Sequence, residues 1–424
     1  MNNIFPLKPQ VLPVNPGKIQ NPAMVWLNNG TPVYLIEAGN EDVMRIDFTF
    51  DAGQAQEYLP LLSSTTNMML TEGSRNYSSQ ELNKILDFHG AFYNLYAEKD
   101  RAGLIIFFIT RHIEKIFELA GEIIFQPVFP DAELKALMKK RLRWYLVNRE
   151  KVNNLAMEHF FESIFGNNHP YGRQIVPEDF ENMNPPLLKD FHAANYTPEK
   201  LAIIISGKIH GRTLDLLNKY FGENLASDIY IEESHNLLKE SENRRNHINK
   251  PGAVQTAVRI GCPTINKCHP DYPGLNILNV ILGGYFNSRL MKNIREDKGL
   301  TYGIHSIVSS LISSGFNIIS TEVSKKSTQK AIDEIYNEIR RLQNEPVEKE
   351  ELAIVRNYML GEMVRMFDGP FALAESYRSA WEFGLDTSYF DRLAKKIRTI
   401  TPDEITALAG TYYNIDKLHE ITAG

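Results

Sequence analysis

Cysteine is nearly absent, with only Cys262 and Cys268 in 424 residues. Two thiols cannot frame a disulfide-stapled fold. They also lack the four-ligand spacing of a structural zinc site, so both read as free thiols of a reducing compartment. Long apolar runs are missing too. Leu104–Ile109 and Leu201–Ile205 have strand length, far short of the roughly 20 apolar residues that span a bilayer. No membrane span is therefore expected. The opening MNNIFPLKPQVLP has no basic segment followed by an apolar run, unlike a secretory leader. The expected compartment is the cytoplasm, or the periplasm had a leader been removed. No charge dominates: 46 basic against 52 acidic side chains leave −6, which gives no reason to expect nucleic acid. None of the 11 histidines stands four residues from another, so no helix presents two imidazoles on one face. His159-Phe-Phe-Glu162-Ser163 comes nearest, and it reads as a helix-surface or hydrogen-bonding histidine.

What is present is ordinary globular material, with 43% apolar and 23% charged residues. That is enough for more than one core, and the length suits two or three domains. The chain looks duplicated. Leu187–Gly207 and Glu404–Gly424 superpose without a gap at an offset of 217 residues. Tyr196/Tyr413, Lys200/Lys417, Leu201/Leu418, Ile204/Ile421 and Gly207/Gly424 coincide. Val152–Gly166 resembles Asp368–Gly384, and Met44–Gly53 resembles Val254–Pro263. Three matches in one order imply two homologous halves of about 200 residues each. Between them Glu232–Pro251 is polar and aperiodic, as a solvated linker would be. The expected division is 1–224, a linker at 225–252, and 253–424.

Within the first half, Val33–Glu37 and Met44–Phe50 read as adjacent strands. Ser78 and Glu81 form a capping box for a helix over Ser79–His89. Leu104–Thr110 reads as a buried strand, and Ile113–Ile124 and Asp131–Arg149 as helices. In the second half Tyr272–Leu282 and Thr328–Gln343 read as helices, Ile304–Val308 and Phe316–Glu322 as strands. The expected class is α+β, each half a mixed or antiparallel sheet with helices packed on it.

LNNGTPVYLIE, a strand ending at Gly53, a helix and then LTEGSRNYSSQELNKILDFHGAFYN resemble the start of the pitrilysin/insulinase zinc peptidases. The resemblance implies half of a clamshell. It also implies an HxxEH motif whose two His bind zinc and whose Glu acts as base, with a third ligand, a Glu, about 76 residues on. Counted back from Gly73, the His positions are Ser64 and Met68, the base position is Asn67, and the third ligand position is Trp144. None suits Zn²⁺ or proton abstraction. Leu61, Leu62, Thr65, Met68 and Met69 read as an apolar core face. Lys139, Lys140, Arg141 and Arg143 make the second helix basic. This chain is expected to bind no metal.

The family's other signature is similar to ILGGYFNSRLMKNIREDKGLTYGIHS, Ile281–Ser306. The resemblance makes Arg295 and Tyr302 catalytic, Tyr as a donor to the developing oxyanion and Arg as a clamp on a substrate carbonyl. It also makes Asn94, Gly283 and Gly284 substrate-binding. His169-Pro-Tyr-Gly172 matches a family loop and reads as a turn.

One expectation is a subunit inactive alone that lends Arg295 and Tyr302 to a homologous, HxxEH-bearing, zinc-holding partner in peptide hydrolysis. A second is a non-enzymatic peptide-binding or scaffold subunit. A third is a metallopeptidase with an unrecognised metal site. A homodimer stays open as well.

Overall fold

The structure is a computed structural model and describes residues 14–17, 19, 21–209, 211–223 and 238–424. Two sheets organise it. The first contains β1 (Ala23–Trp26), β2 (Pro32–Glu37), β3 (Val43–Phe50), β4 (Phe92–Ala97), β5 (Ala102–Ile109) and β6 (Leu201–Gly207), in the order β1-β2-β6-β3-β5-β4. The second contains β7 (Arg245–Ile248), β8 (Gln255–Thr264), β9 (Thr301–Ser310), β10 (Gly315–Ser324) and β11 (His419–Ala423), in the order β7-β11-β8-β10-β9. Removing β1 leaves one topology written twice. β6 runs parallel to β2 and β11 parallel to β7, and every other neighbour is antiparallel. The chain is thus a mixed α/β protein of two repeated sheets with many helices, as the repeats imply.

Two expectations need correction. Val33–Glu37 and Met44–Phe50 are strands but not neighbours, because β6 lies between them. Every residue of β6, LAIIISG, is buried. Such a run belongs in a sheet's interior, and sequence succession predicts adjacency only part of the time. The stretch 225–252 is also not linker throughout. Its residues 225–237 lie outside the described residues, but Arg245–Ile248 is strand β7. Polar side chains suit it, because it is an edge strand with three of four residues exposed.

Sequence-level signals place most other elements. Ser78 closes a capping box with Glu81 at the start of the helix Ser79–Phe88. The helix Asp131–Arg149 begins after Pro130, where the preceding chain cannot be helical. Gly207 ends β6 at φ 116, and a Cβ there would stand 2.3 Å from the Val43 carbonyl oxygen. Only glycine allows that approach.

The halves exchange helices. Val152–Phe165, in the first half, packs on β8 and β11 of the second sheet. Pro370–Trp381, in the second half, packs on β6 and β2 of the first. These are the segments the sequence repeat pairs with one another. Buried polar contacts fasten both. Ser163 Oγ and His419 Nδ1 lie 2.6 Å apart. Arg45 grips Asp47 through two 2.6 Å bonds and reaches Glu375 Oε2 at 2.6 Å.

Candidate functional site

The degenerate metal position is built on α1 (Leu62–Met69) and α4 (Asp131–Arg149), counting Ser79–Phe88 as α2 and Ile113–Phe125 as α3. Leu61, before α1, sits in the left-handed region at φ 68, a strained conformation for a branched residue. Ser64 Oγ donates to the Leu61 carbonyl at 3.2 Å and accepts from Arg141 Nη2 at 2.8 Å. Arg141 Nη1 donates to Thr65 Oγ1 at 2.6 Å. A guanidinium therefore lies against the first ligand position. Asn67 is buried and donates to the Gly103 carbonyl and to Tyr196 Oη, both at 3.1 Å. It ties α1 to the sheet and faces nothing it could deprotonate. Trp144 is exposed. The thioether of Met68 is soft, Ser64 is already committed, and a fixed cation stands beside them. These residues do not fit a zinc ion.

Met68 departs from expectation. It is 44% exposed rather than core. The apolar neighbours Leu61, Leu62 and Met69 are buried as expected, but position 68 keeps the outward direction that a metal ligand would need.

The second constellation lies at the far edge of the second sheet. Arg295 belongs to Met291–Asp297, wound as a π-helix, a geometry often found at functional sites. Its Nε donates to the Tyr302 carbonyl at 3.0 Å, and its guanidinium lies 5.0 Å from the Phe286 ring centre. Tyr302 is 94% exposed near the start of β9. A phenol so bare can meet something outside the chain. Asn94 is exposed on β4, the outermost strand of the first sheet. β9 is the outermost strand of the second, so Asn94 and Tyr302 occupy matching positions on different sheets.

Gly283 and Gly284 separate. Gly284 is exposed. Gly283 is buried, and a Cβ there would stand 2.7 Å from Ser306 Cβ. It packs closely against Ser306 of β9.

The sequence reading passed over Arg259. It is 3% exposed on β8. The signal was a lone charge within the apolar strand VQTAVRIGCP. It also took Arg141 only as part of a basic cluster. His169, in the predicted turn, is buried, and burial pulls its pKa down to about 4.

The fold is that of a peptidase-like half-shell, and Ser64, Met68 and Trp144 at the family's metal position are not residues that suit zinc. Comparison with known proteins supports the fold. Residues 182–359 match the family described as "Peptidase M16 inactive domain". The zinc protease YmxG of Bacillus subtilis is 23% identical over 301 residues, 70% of this chain and 72% of that protein. A peptidase M16 inactive domain from Pseudomonas fluorescens superposes with TM-score 0.81 and 21% identity, covering 96% of this chain and 98% of that one. The periplasmic protease PqqL of Escherichia coli gives TM-score 0.80 at 14% identity, matching all of this chain but 48% of that one. Residues 182–359 are thus similar to a peptidase M16 inactive domain, and the resemblance to that family is borne out.

Proposed function

We propose that this chain is a subunit that does not cleave peptides alone and completes the active site of a homologous, HxxEH-bearing, zinc-holding partner. The observation that carries this reading is the bareness of Tyr302. Its backbone carbonyl holds Arg295 and its ring reaches into open space, while the chain's own metal position is filled by Arg141. Arg295 and Tyr302 would act on a peptide held against the partner. Tyr302 would donate to the oxygen that becomes negative, and Arg295 would hold a neighbouring carbonyl. Asn94 and the exposed Gly284 would contact the same peptide.

The test is reconstitution. The pure chain should show no peptidase activity, and mixing with an HxxEH-bearing homologue should produce it. In the mixture Tyr302→Phe or Arg295→Ala should lower kcat by about 10²–10³-fold, the cost of removing an oxyanion donor. Variants that keep full activity would remove the assigned roles.

A further inference from the structure

Buried arginines in this protein are mostly answered by acids. Arg45 has Asp47 and Glu375, Arg289 has Glu351, and Arg378 has Glu375 and Glu382. Arg259 differs. Its Nη1 donates to the Val258 and Thr321 carbonyls at 2.9 and 3.4 Å. Its Nη2 donates to the carbonyl and the side-chain oxygen of Asn153. Its Nε is buried without a partner. Among the described residues it forms no ion pair. Burial holds its pKa below the usual guanidinium value, and the more distant charge of Glu322 only partly offsets this. A buried cation bound only to neutral oxygens is an unfavourable arrangement unless an anion arrives.

There is room for one. Arg259 lines a cavity of about 480 Å³ between the helix Val152–Phe165 and the second sheet. That volume lies within the roughly 300–1,000 Å³ usual for small-ligand sites. The first half contributes Asn153 and Met157, and the second contributes Arg259, His305, Glu322 and Tyr302. The exposed tyrosine assigned above to peptide hydrolysis is therefore also part of this cavity's rim. Glu322 on the wall opposes a multiply charged anion more strongly than a singly charged one, which favours a single carboxylate. The planar guanidinium suits a carboxylate better than a spherical ion.

We propose that this cavity binds a single carboxylate of a peptide, with Arg259 as its anchor and Tyr302 at its rim. The site uses both halves, because Asn153 holds the guanidinium across the exchanged helix. The inference rests on the proposed function only in taking the ligand to be a peptide that reaches Tyr302. Binding by the chain alone tests it, so it can fail while the roles in hydrolysis stand, and the reverse.

The experiment is isothermal titration of the full chain with three unstructured decapeptides of one sequence. One ends in a free carboxylate, one in an amide, and one in an amide with an internal Asp. The free-acid or the Asp peptide should bind about tenfold or more tighter than the plain amide, as charge-assisted hydrogen bonds to a buried site imply. Which of the two wins tells a chain end from an acidic side chain. Arg259→Gln should abolish the difference. If that variant does not fold, Gly303→Val carries the test. A Cβ at Gly303, which lines the cavity, meets no atom within 4 Å, so the branch point of valine is accommodated, its methyls narrow the site, and the variant should also erase the preference. Three peptides that bind alike, or not at all, would overturn the proposal. So would a preference that survives both variants.

Discussion

Glu57 is sealed in the first half and accepts a hydrogen bond from the Ser63 amide at 2.9 Å. Burial pushes its carboxyl from an ordinary 4.5 to about 8, despite Arg173, Lys99 and Arg141 pulling the other way. Between those values the unfolded chain loses its proton while the native one keeps it. Stability contributed by Glu57 is thus full below pH 4.5 and is lost as pH rises toward 8. Glu57→Gln keeps the acceptor and removes the titration. The urea midpoint of the wild type should fall relative to the variant between pH 5 and pH 8, and parallel curves would contradict the assignment. Residue identity alone could not show this. A lone Glu in GQAQEYLP carries no sign of its burial, just as the lone Arg259 and the outward-turned Met68 were misjudged or missed. Arg295 and Tyr302 were legible because a long spaced pattern surrounds them. Their environment in three dimensions, the Phe286 ring and the π-helical turn, was not.

The exchanged helices carry the second prediction. Arg45 and Asp47 on β3 meet Glu375 and Arg378 on Pro370–Trp381. Burial raises the Asp47 carboxyl while the Arg45 guanidinium, bound through both oxygens, draws it back. Asp47→Asn leaves Arg45 with half its counter-charge and should cost about 3–5 kcal/mol in urea unfolding. Ser163→Ala, which strips His419 of its 2.6 Å partner, should cost about 1–3 kcal/mol. A loss under 0.5 kcal/mol in either would mean that these contacts do not fasten the halves. Elements with strong period and caps were legible: Asp131–Arg149 is a helix over those residues, and Ile113–Phe125 and Thr328–Asn344 differ from expectation by one residue. The continuation of Tyr272–Asn279 as a π-helix through Gly284 was not, because apolar spacing does not separate the two windings. Nor was the place of β6, which depends on long-range pairing, or β7, whose polar sequence looks like linker and whose partner is β11.

At the scale of the molecule, the repeated topology and the exchanged helices make each half the lid of the other's sheet. The two sheets should therefore unfold together. Calorimetry should give one transition with matching calorimetric and van't Hoff enthalpies, whereas two separated transitions would mean that the exchanged helices hold little. The same architecture leaves the outermost strands β4 and β9 facing outward with Asn94 and Tyr302 exposed, and it closes the chain's own metal position with Arg141. On the function proposed above, a shell built this way would supply half of a reaction's groups and take the other half from a partner. The most direct measurement is the peptidase rate of the chain, of an HxxEH-bearing homologue and of their mixture, with Tyr302→Phe as the control. The account predicts no rate for the chain alone, a rate in the mixture that neither component reaches, and a kcat lowered about 10²–10³-fold by the control. Activity of the chain alone, or a mixture indifferent to Tyr302, would contradict it.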